Sequence, residues 1–322
     1  MKEQHLILGI GELLWDVLPE TSSIVAAGPD MLPSRVFLGG APANFTVMAG
    51  RLGNHAAILS RIGRDDFGRQ AVDWLDPMPV DTSCLEVDPV YETGRVNVEF
   101  VKGEPQYTIH QPVAWDFLEL SDEWIRLAQR ADAICFGSLA QRSEKSRQTI
   151  QTLAAETRER CIRIFDVNLR APFISDEVIQ ESLGLATVLK MNEGELPQVL
   201  RLLGLPADVE TESECLRLGA GRLLEEFPSL ETIAVTRGGR GSLLVRRDEW
   251  NEHPGFPVKV VDQIGAGDAF TAAMAHYALR GAGLNTLNEA GNRWGAWVAS
   301  QSGAMPALSE EVRASIAAAI ES

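Results

Sequence analysis

The chain has 322 residues, 45% of them hydrophobic and 23% charged, values that are ordinary for a globular protein and exclude disordered and fibrous compositions. The formal net charge of -16 repels polyanions, so neither nucleic acid nor an anionic membrane is expected as a partner, and any phosphate-binding site must be local. No apolar run has the length of a secretory signal or a membrane span, and the cysteines form no CxxC pair, so a reduced, cytoplasmic protein is expected.

Short apolar segments typical of buried strands alternate with helical patterns along the chain. The segments are residues 6–10, 56–60, 133–136, 162–165, 186–189 and 232–235. Among the helical patterns, residues 143–160 open with a serine that can cap and place Ile150 and Leu153 on one face. Residues 266–280 and 288–302 are alanine-rich and predict two long helices. This alternation predicts a doubly wound α/β fold, with a mostly parallel sheet covered by helices on both faces.

One region breaks this rhythm and predicts a small projecting β-sheet. Residues 95–101 alternate polar and apolar side chains, and a turn at 102–105 leads into 106–110, as in a hairpin with one wet face. Together with residues 35–38 the hairpin can form a lid over the main sheet. We expect a single domain over residues 1–322, with lid strands inserted within residues 12–38 and 91–111.

Apolar side chains on the first strand of this hairpin need cover, and two arrangements can supply it. The side chains are those of Val96, Val98 and Phe100. They either form a homodimer interface through the lid or close over the substrate of their own protomer, which leaves a monomer.

Several familiar motifs are absent or incomplete. Gly9 and Gly11 follow the first predicted strand, but Leu14 replaces the third glycine of a dinucleotide-binding motif. No GxxxxGK[ST] segment occurs, which excludes a P-loop. The histidines are scattered, with no HxH or HExxH arrangement, so no histidine-based metal site is expected.

The segment best suited to chemistry runs from Gly265 to Asp268 at the start of a predicted helix. Gly265, Ala266 and Gly267 leave their main-chain amides bare, and such amides at a helix amino terminus bind anions, including a transferring phosphoryl group. Asp268 lies in the first turn, where it can accept the proton of an attacking hydroxyl. The alternative is a plain helix cap in which Asp268 only favours the dipole.

A second small-residue segment contains Gly39 and Gly40 and precedes Asn44 at the entrance of an apolar helical pattern. Glycines let the backbone approach a ligand closely, and Asn44 offers both a donor and an acceptor to a sugar hydroxyl. Capping of the helix is the alternative role of Asn44.

These two segments resemble the signature motifs of the ribokinase-like (PfkB) family of carbohydrate kinases, a glycine pair before an asparagine near the start and D-T-x-G-A-G-D near the end. The resemblance extends over nearly the whole chain through further motifs in the family's order. They are residues 63–68, similar to G-x-D-x-F-G; 166–170, similar to D-x-N-x-R; 192–195, which match N-x-x-E; and 235–241, similar to T-x-G-x-x-G. The resemblance implies a ribokinase-like fold and ATP-dependent phosphorylation of a sugar.

The resemblance also implies roles for individual residues. The base would be Asp268, with the amides of Gly265, Ala266 and Gly267 as an anion hole. The sugar would be held by Asp16, Gly39, Gly40 and Asn44, and Asp166 and Arg170 would touch sugar or phosphate. The ATP phosphates would be lined by Thr236, Gly238 and Gly241, and the adenine would lie near Asn292. The water shell of Mg²⁺ would be organised by Asn192 and Glu195.

The second signature departs from the family pattern at Gln263, which replaces the usual threonine. In many relatives this loop supplies oxygen ligands to a potassium-type ion. Asp262 and the carbonyl of Ile264 can still do so, and the Gly-Ala-Gly-Asp core is intact.

The choice of sugar depends on weaker signals. Residues 11–16 and 39–44 look more like the corresponding segments of fructokinases than of ribokinases, so fructose is the expected substrate. Trp115 can stack on a sugar face or belong to the core, and Gln141 or Arg142 can read a hydroxyl.

The alternatives to a fructokinase are a kinase of this family that acts on another sugar and a protein without kinase activity. A 2-keto-3-deoxygluconate kinase is the nearer one, because Arg95, Arg142 or Arg170 can pair with the carboxylate of that acid. The other is a non-catalytic relative that binds sugar or nucleotide and regulates a partner. Such a regulator would usually lack the base or the anion hole, and both are present in this sequence.

Overall fold

The architecture is seen in a computed structural model that describes residues 4–17, 36–101, 104–208 and 212–321. The strands are β1 Leu6–Ile10, β2 Leu14–Val17, β3 Val36–Gly39, β4 His55–Gly63, β5 Leu85–Asp88, β6 Gly94–Val101, β7 Glu104–Ile109, β8 Ala133–Gly137, β9 Ile162–Asp166, β10 Val188–Asn192, β11 Thr232–Thr236, β12 Ser242–Val245 and β13 Trp250–His253. The helices are α1 Ala41–Arg51, α2 Asp66–Leu75, α3 Asp122–Ala128, α4 Glu144–Ala155, α5 Asp176–Leu185, α6 Leu196–Leu202, α7 Ser213–Glu226, α8 Ala266–Ala278, α9 Leu284–Ala299 and α10 Glu310–Glu321.

The main sheet has nine strands in the order β13-β12-β11-β10-β9-β8-β1-β4-β5. Neighbours from β11 to β5 are parallel, whereas β12 and β13 form an antiparallel edge. The six strands predicted from apolar runs all belong to the parallel part. The doubly wound α/β prediction is therefore confirmed, and the antiparallel edge is an addition to it.

Helices cover both faces of this sheet because successive side chains of a strand point to opposite sides. Leu6, Leu8 and Ile10 of β1 pack into the core formed with α3 to α7, and Ile7 packs into the core formed with α1, α8 and α9. All of these β1 side chains are at most 7% exposed. Strands buried on both sides in this way need apolar residues at every position, which is the pattern seen in the sequence.

A second, four-stranded sheet has the order β3-β2-β6-β7 and forms the small lid sheet. Its hairpin is the antiparallel pair β6 and β7, with Val96 opposite Ile109, as the alternating sequence predicts. Strand β2 adds to β6 in parallel and to β3 in antiparallel orientation. Residues 18–35 and 102–103 and the side chains of Val98 and Phe100 lie outside the described part, whereas Val96 is buried within the protomer.

The helices differ from the predictions mainly at their ends. Helix α4 is capped by Ser143, as expected, but stops at Ala155, where the hydroxyl of Thr157 donates to the carbonyl of Ala154. Helix α9 begins four residues before the predicted segment. It packs closely on α8, since a Cβ at Gly291 would lie 2.6 Å from the ring of Phe270. None of the described helices is both long and apolar enough to cross a membrane.

The carboxyl ends of the parallel strands place polar residues at one edge of the main sheet. Asp166 ends β9, Asn192 ends β10, Thr236 ends β11, and Glu12 follows β1. In open α/β sheets this edge is where ligands bind. The lid sheet joins it through β2, which follows β1 after three residues.

Candidate active site

The amino terminus of α8 is built as an anion site. Its N-cap is Gly265, which has a left-handed backbone with φ of 77°, and no side chain caps the helix. A Cβ at Gly265 would lie 2.6 Å from the carbonyl oxygen of Ala304, so only glycine fits this turn. An uncapped amino terminus offers free N–H groups and the positive end of the helix dipole to an anion.

Asp268 lies in the first turn of α8 and contacts the other signature segment. Its Oδ2 accepts a hydrogen bond of 2.7 Å from Nδ2 of Asn44, which is 224 residues away in the chain. Asn44 is buried and does not cap α1, whose N-cap is Gly40. Oδ1 of Asn44 has no hydrogen-bond partner among the described residues. Asn44 therefore does not cap α1, whereas Asp268 lies where a carboxylate also favours the helix dipole.

The pKa of Asp268 is raised from 3.8 to about 6. Burial of the carboxylate is the main cause, and the negative charge of Asp166 adds to it. The ammonium of Lys190, the amide of Asn44 and the guanidinium of Arg170 act in the opposite direction. A carboxyl that releases its proton near pH 6 is suited to accept one from a hydroxyl at neutral pH.

Asp16 on β2 faces the glycine pair. A Cβ at Gly39 would lie 3.3 Å from Oδ2 of Asp16, so the missing side chain leaves this carboxylate accessible from that side. Gly40 has φ of 107°, and a Cβ there would lie 2.4 Å from the carbonyl oxygen of Glu12. Burial raises the pKa of Asp16 to about 6, and Arg170 opposes this while Asp262 reinforces it.

Glu12 is a site residue that the sequence reasoning missed. It is only 2% exposed, and its Oε2 has no hydrogen-bond partner among the described residues. Burial raises the pKa of this carboxyl to about 7, although the N–H groups of Glu12 and Ala41 and the charge of Arg170 lower it. The signal was a single charged residue between Gly11 and Leu13, at the carboxyl end of a buried strand.

Arg170 is the cation shared by these carboxyl groups. It is exposed, and its one described hydrogen bond joins Nη1 to the carbonyl of Leu169 at 3.1 Å. Its charge lowers the pKa of Glu12, of Asp16 and of Asp268. The guanidinium is therefore close enough to act on each of these acids and remains free to bind an incoming anion or hydroxyl.

Lys190 and Asp166 form a buried ion pair at the same strand ends, and Lys190 is the second residue that was missed. Nζ of Lys190 lies 3.1 Å from Oδ1 and 3.0 Å from Oδ2 of Asp166. A Cβ at Gly267 would lie 3.0 Å from this Nζ, so the ammonium lies against the first turn of α8. The signal in the sequence was one lysine within the apolar strand β10.

Asn192 and Glu195 form a compact turn after β10. Oδ1 of Asn192 accepts from the N–H of Gly194 at 2.9 Å and from that of Glu195 at 3.0 Å. The buried Glu195 carboxylate accepts from the N–H of Asn192 at 2.8 Å and from that of Leu169 at 2.9 Å. Both carboxylate oxygens thus already have one main-chain donor, so this residue can bind further groups only through its remaining lone pairs.

The expected phosphate loop follows β11. Gly238 has φ of 57°, and nothing lies within 4 Å of a Cβ built on it, so this part of the loop is open. Gly241 has φ of 82°, and a Cβ there would lie 1.9 Å from the carbonyl oxygen of His253, so it is needed for close packing. The hydroxyl of Thr236 donates to the carbonyl of Met191 at 3.4 Å.

Asn292 on α9 lies behind β12. Its Nδ2 donates to Oγ of Ser242 at 2.7 Å and to the carbonyl of Asn288 at 2.8 Å, and the side chain is 8% exposed. Its amide nitrogen is therefore engaged within the protein. A role near an adenine would be to hold Asn288 and Ser242 in place rather than to donate to the base.

Asp262 and Ile264 lie in the loop before α8. Oδ1 of Asp262 accepts from the N–H of Ile264 at 3.0 Å, and Oδ2 accepts from that of Gly303 at 3.2 Å. Across the described residues, no group of three or more His, Cys, Asp and Glu side chains is arranged to hold a metal ion. A cation here would therefore depend on main-chain carbonyls and on ligands from the substrates.

Two expected substrate contacts lie in the core instead. Trp115 is 0% exposed, and the guanidinium carbon of Arg142 lies 3.9 Å from the centroid of its ring. Gln141 is 2% exposed and donates to the carbonyl of Gly137 and to Oγ of Ser182, each at 2.9 Å. Neither side chain has an open face for a sugar, so the core interpretation of Trp115 applies and the Gln141 amide is engaged within the protein. Arg142 is buried against Asp116.

The arrangement as a whole combines three chemical capacities at one edge of the sheet. The uncapped amino terminus of α8 can bind an anion, the carboxylate of Asp268 can accept a proton, and Glu12, Asp16 and Asn44 together with Arg170 can bind hydroxyls. A base beside an anion site is what transfer of a phosphoryl group to an alcohol requires.

Comparison with known proteins agrees with this chemistry. A family model described as pfkB family carbohydrate kinase matches residues 4–311. The uncharacterized sugar kinase PH1459 of Pyrococcus horikoshii is 30% identical over 291 residues, which is 88% of this chain and 85% of that protein. A fructokinase of Salmonella typhimurium is 30% identical over 273 residues, 82% of this chain and 81% of the relative. The crystal structure of PH1459 in complex with ATP superposes with a TM-score of 0.76 at 28% identity, covering 93% of this chain and 94% of that one.

Proposed function

The chain belongs to the pfkB family of carbohydrate kinases, and on that premise we propose that it transfers the γ-phosphoryl group of ATP to a primary hydroxyl of fructose. The observation that carries the proposal is the 2.7 Å hydrogen bond between Asn44 and Asp268 at an uncapped helix amino terminus. This contact puts a base, a hydroxyl-binding amide and an anion site within one turn of α8. The fructokinase of Salmonella typhimurium, 30% identical to this chain, supports the choice of sugar.

Asp268 is the proposed base. With a pKa of about 6 it is mostly ionised at pH 7 and above, and it can take the proton of the sugar hydroxyl as the oxygen attacks phosphorus. The amides of Gly265, Ala266 and Gly267 are the proposed anion hole for the negative charge on the transferring group. Of these, the Ala266 N–H donates to the carbonyl of Gln263 at 3.3 Å, so it would have to exchange this long bond for the phosphoryl oxygen. Removing one such donor commonly costs about 10²-fold or more in kcat.

The sugar is proposed to lie between the lid sheet and the start of α1. Asp16 and Asn44 supply acceptors, while the bare backbone at Gly39 and Gly40 allows close approach of the ring. Arg170, with one main-chain hydrogen bond among the described contacts, supplies a donor. Glu12 packs against the backbone of Gly40 and so helps to position the glycine pair.

ATP is proposed to bind across the open loop after β11. Gly238 offers the room and the backbone donors that phosphates need, whereas Thr236 and Gly241 hold the loop's ends. Asn292 is proposed to support the adenine pocket through Ser242.

Magnesium is the divalent ion that accompanies ATP in this proposal. Asn192 and the half-satisfied Glu195 carboxylate fit an ion that keeps most of its waters and is bound mainly by phosphates. Such an ion neutralises charge on the triphosphate, and these two residues would hold its water shell. A monovalent ion of the potassium type is proposed at Asp262 and the carbonyl of Ile264, where the backbone turns before α8.

The arginines offer few free partners for the carboxylate of an acidic sugar. Arg142 is buried against Asp116 at 2.7 Å, and Arg95 is paired with Glu92, so of the three candidates only Arg170 is free to pair with a carboxylate. A bidentate clamp from two arginines is therefore not formed. This supports a neutral sugar over 2-keto-3-deoxygluconate.

The chain is proposed to act as a single domain over residues 1–322, with the lid strands within 12–38 and 91–111 closing over the sugar to exclude water. Val96 is 5% exposed within one protomer, which is consistent with a lid that covers its own site. A monomer is the simplest assembly with this property, and a homodimer through the lid is the alternative.

The proposal is tested by offering purified protein with magnesium and ATP a panel of ketoses, pentoses, nucleosides and keto-acids and measuring ADP release. We expect the highest kcat/KM with fructose. A keto-acid that outperforms fructose at least tenfold would replace the sugar but keep the kinase. No sugar-dependent ADP release from any compound would contradict the proposal itself.

A further inference from the structure

The buried pair of Lys190 and Asp166 calls for an explanation beyond stability. Lys190 is 8% exposed and Asp166 is 3% exposed, and both carboxylate oxygens contact the ammonium at 3.0 to 3.1 Å. Desolvating two charges costs about as much as their attraction returns, so apolar residues of similar size would serve stability equally well. A buried pair at the ligand-binding edge of a sheet, beside a titratable group, therefore points to a functional role.

The position of the pair identifies what it acts on. Nζ of Lys190 lies 3.0 Å from the place of a Cβ on Gly267, so a side chain at residue 267 would push the ammonium away by a few tenths of an ångström. The ammonium thus lies against the first turn of α8, directly beside the base and the anion hole. Asp166 ends β9, the strand next to β10, and so holds Lys190 from the other side.

We propose that Lys190, fixed by Asp166, is a positioning residue for phosphoryl transfer, which it serves by packing against Gly267 and placing a positive charge beneath Asp268 and the anion hole. This inference rests on the proposed function. It assigns no proton transfer to Lys190, which remains charged throughout.

Several charged or titratable groups face Asp268 from the elements packed around it. They are Asp166 on β9, Lys190 on β10, Cys135 on β8, Glu12 after β1 and Arg170 after β9, and the neutral amide of Asn44 on α1. Asp166 raises the pKa of Asp268, and Lys190 lowers it. Removing one member of the pair should therefore move the acidic limb of the pH profile in the direction opposite to removing the other.

The test compares Lys190→Met, Asp166→Asn and the double variant. Because the base works when ionised, Lys190→Met should move the acidic midpoint of kcat/KM up by about one pH unit, and Asp166→Asn should move it down by a similar amount. In the double variant the two shifts should largely cancel. Its kcat on the alkaline plateau should still fall about tenfold or more, with the KM for sugar within about twofold, because the positive charge beneath the anion hole is gone.

The double variant keeps the inference testable if a single variant does not fold, since it leaves no unpaired buried charge. Lys145→Met is the matched control, because Lys145 pairs with Glu119 on the surface and its side chain is 48% exposed. This control should leave both midpoint and plateau unchanged. A folded double variant with a plateau kcat like that of the wild type, or single variants with unmoved midpoints, would overturn the inference. If the wild type released no ADP with any sugar, by contrast, the proposed function would fail and not this inference alone.

Discussion

Two buried ion pairs in this protein look alike but have different surroundings. The side chains of Arg142 and Asp116 are each 4% exposed and meet at 2.7 Å, and the side chains of Lys190 and Asp166 are 10% and 5% exposed and meet at 3.0 Å. The Arg142 guanidinium also donates to the carbonyl of His110 at 2.6 Å and lies over the rings of Trp115 and Phe173.

The difference lies in what each pair faces. The neighbours of Arg142 are aromatic rings and main-chain groups, which respond to it only through packing. The neighbours of Lys190 include Asp268, whose pKa depends on the charge beside it. Burial of an ion pair therefore does not indicate function by itself, and the titratable group next to the pair does.

The largest effect expected from this comparison is on stability. Arg142→Leu leaves Asp116 buried without its cation and removes the guanidinium from two aromatic rings, so we expect a loss of about 3–5 kcal/mol in the free energy of unfolding. Urea denaturation measures this loss. The acidic midpoint of kcat/KM in the folded fraction should not move. A shifted midpoint would mean that the Arg142–Asp116 pair also acts on the pKa of the base.

Glu12 can be compared with the two ion pairs, because it is a buried acid that forms no ion pair with any residue that the structure describes. Its pKa is raised from 4.5 to about 7, so the folded state favours the protonated form, and stability is lost as the pH rises from 4.5 through 7. Glu12→Gln should match the wild type at pH 4 and exceed it at pH 8, by up to about 3 kcal/mol. Thermal unfolding at both pH values measures this. Equal stability of the two proteins at pH 8 would show that ionising Glu12 does not lower the free energy of unfolding, and hence that its pKa is not raised.

The pH dependence of activity in the unmodified protein tests whether Asp268, the acid beside the Lys190–Asp166 pair, has a raised pKa. With the pKa of Asp268 near 6, kcat/KM should be level above pH 7 and fall at least about tenfold per pH unit well below 6, and more steeply if Asp16, whose pKa is also about 6, must be ionised to bind the sugar. Initial rates at saturating magnesium and ATP from pH 4.5 to 8.5 give the profile. A midpoint near pH 4 would mean that neither burial nor Asp166 acts on the base.

The smallest expected effect concerns the glycine pair. Gly39→Ala puts a methyl group 3.3 Å from Oδ2 of Asp16, a contact that the carboxylate can relieve by a small shift. We expect the KM for sugar to rise a few-fold, corresponding to less than about 1 kcal/mol, with kcat and the acidic midpoint retained. Steady-state kinetics with varied sugar check this, and an unchanged KM would place the sugar away from Asp16.

The sequence was sufficient to predict the parallel sheet, and the catalytic site that it indicates around Asp268 stays a prediction. Strands buried on both faces are apolar at every position, and the Gly-Ala-Gly-Asp segment has few structural uses that explain all of its residues. The edge strands β12 and β13 were harder to predict from the sequence. Trp250 on β13 is 52% exposed, and exposed edge strands lack the continuous apolar run of a buried strand.

The missed and misplaced site residues have a common cause. A lone charge in an apolar run, such as Glu12 or Lys190, is indistinguishable in sequence from one that reaches the surface, and its partners come from other strands. Trp115 and Gln141 have side chains suited to a sugar site, but the chain folds them behind Arg142 and Ser182. Only the three-dimensional packing separates these cases.

The most direct test of the account is a single-turnover measurement on Asp268→Asn with magnesium, ATP and fructose. Asparagine keeps the size of the side chain but cannot take a proton from the sugar hydroxyl, so the chemical step should slow by about 10³-fold while both substrates still bind within a few-fold of their normal Kd. A transfer rate within tenfold of the wild type, in a folded protein, would contradict the assignment of Asp268 as the base.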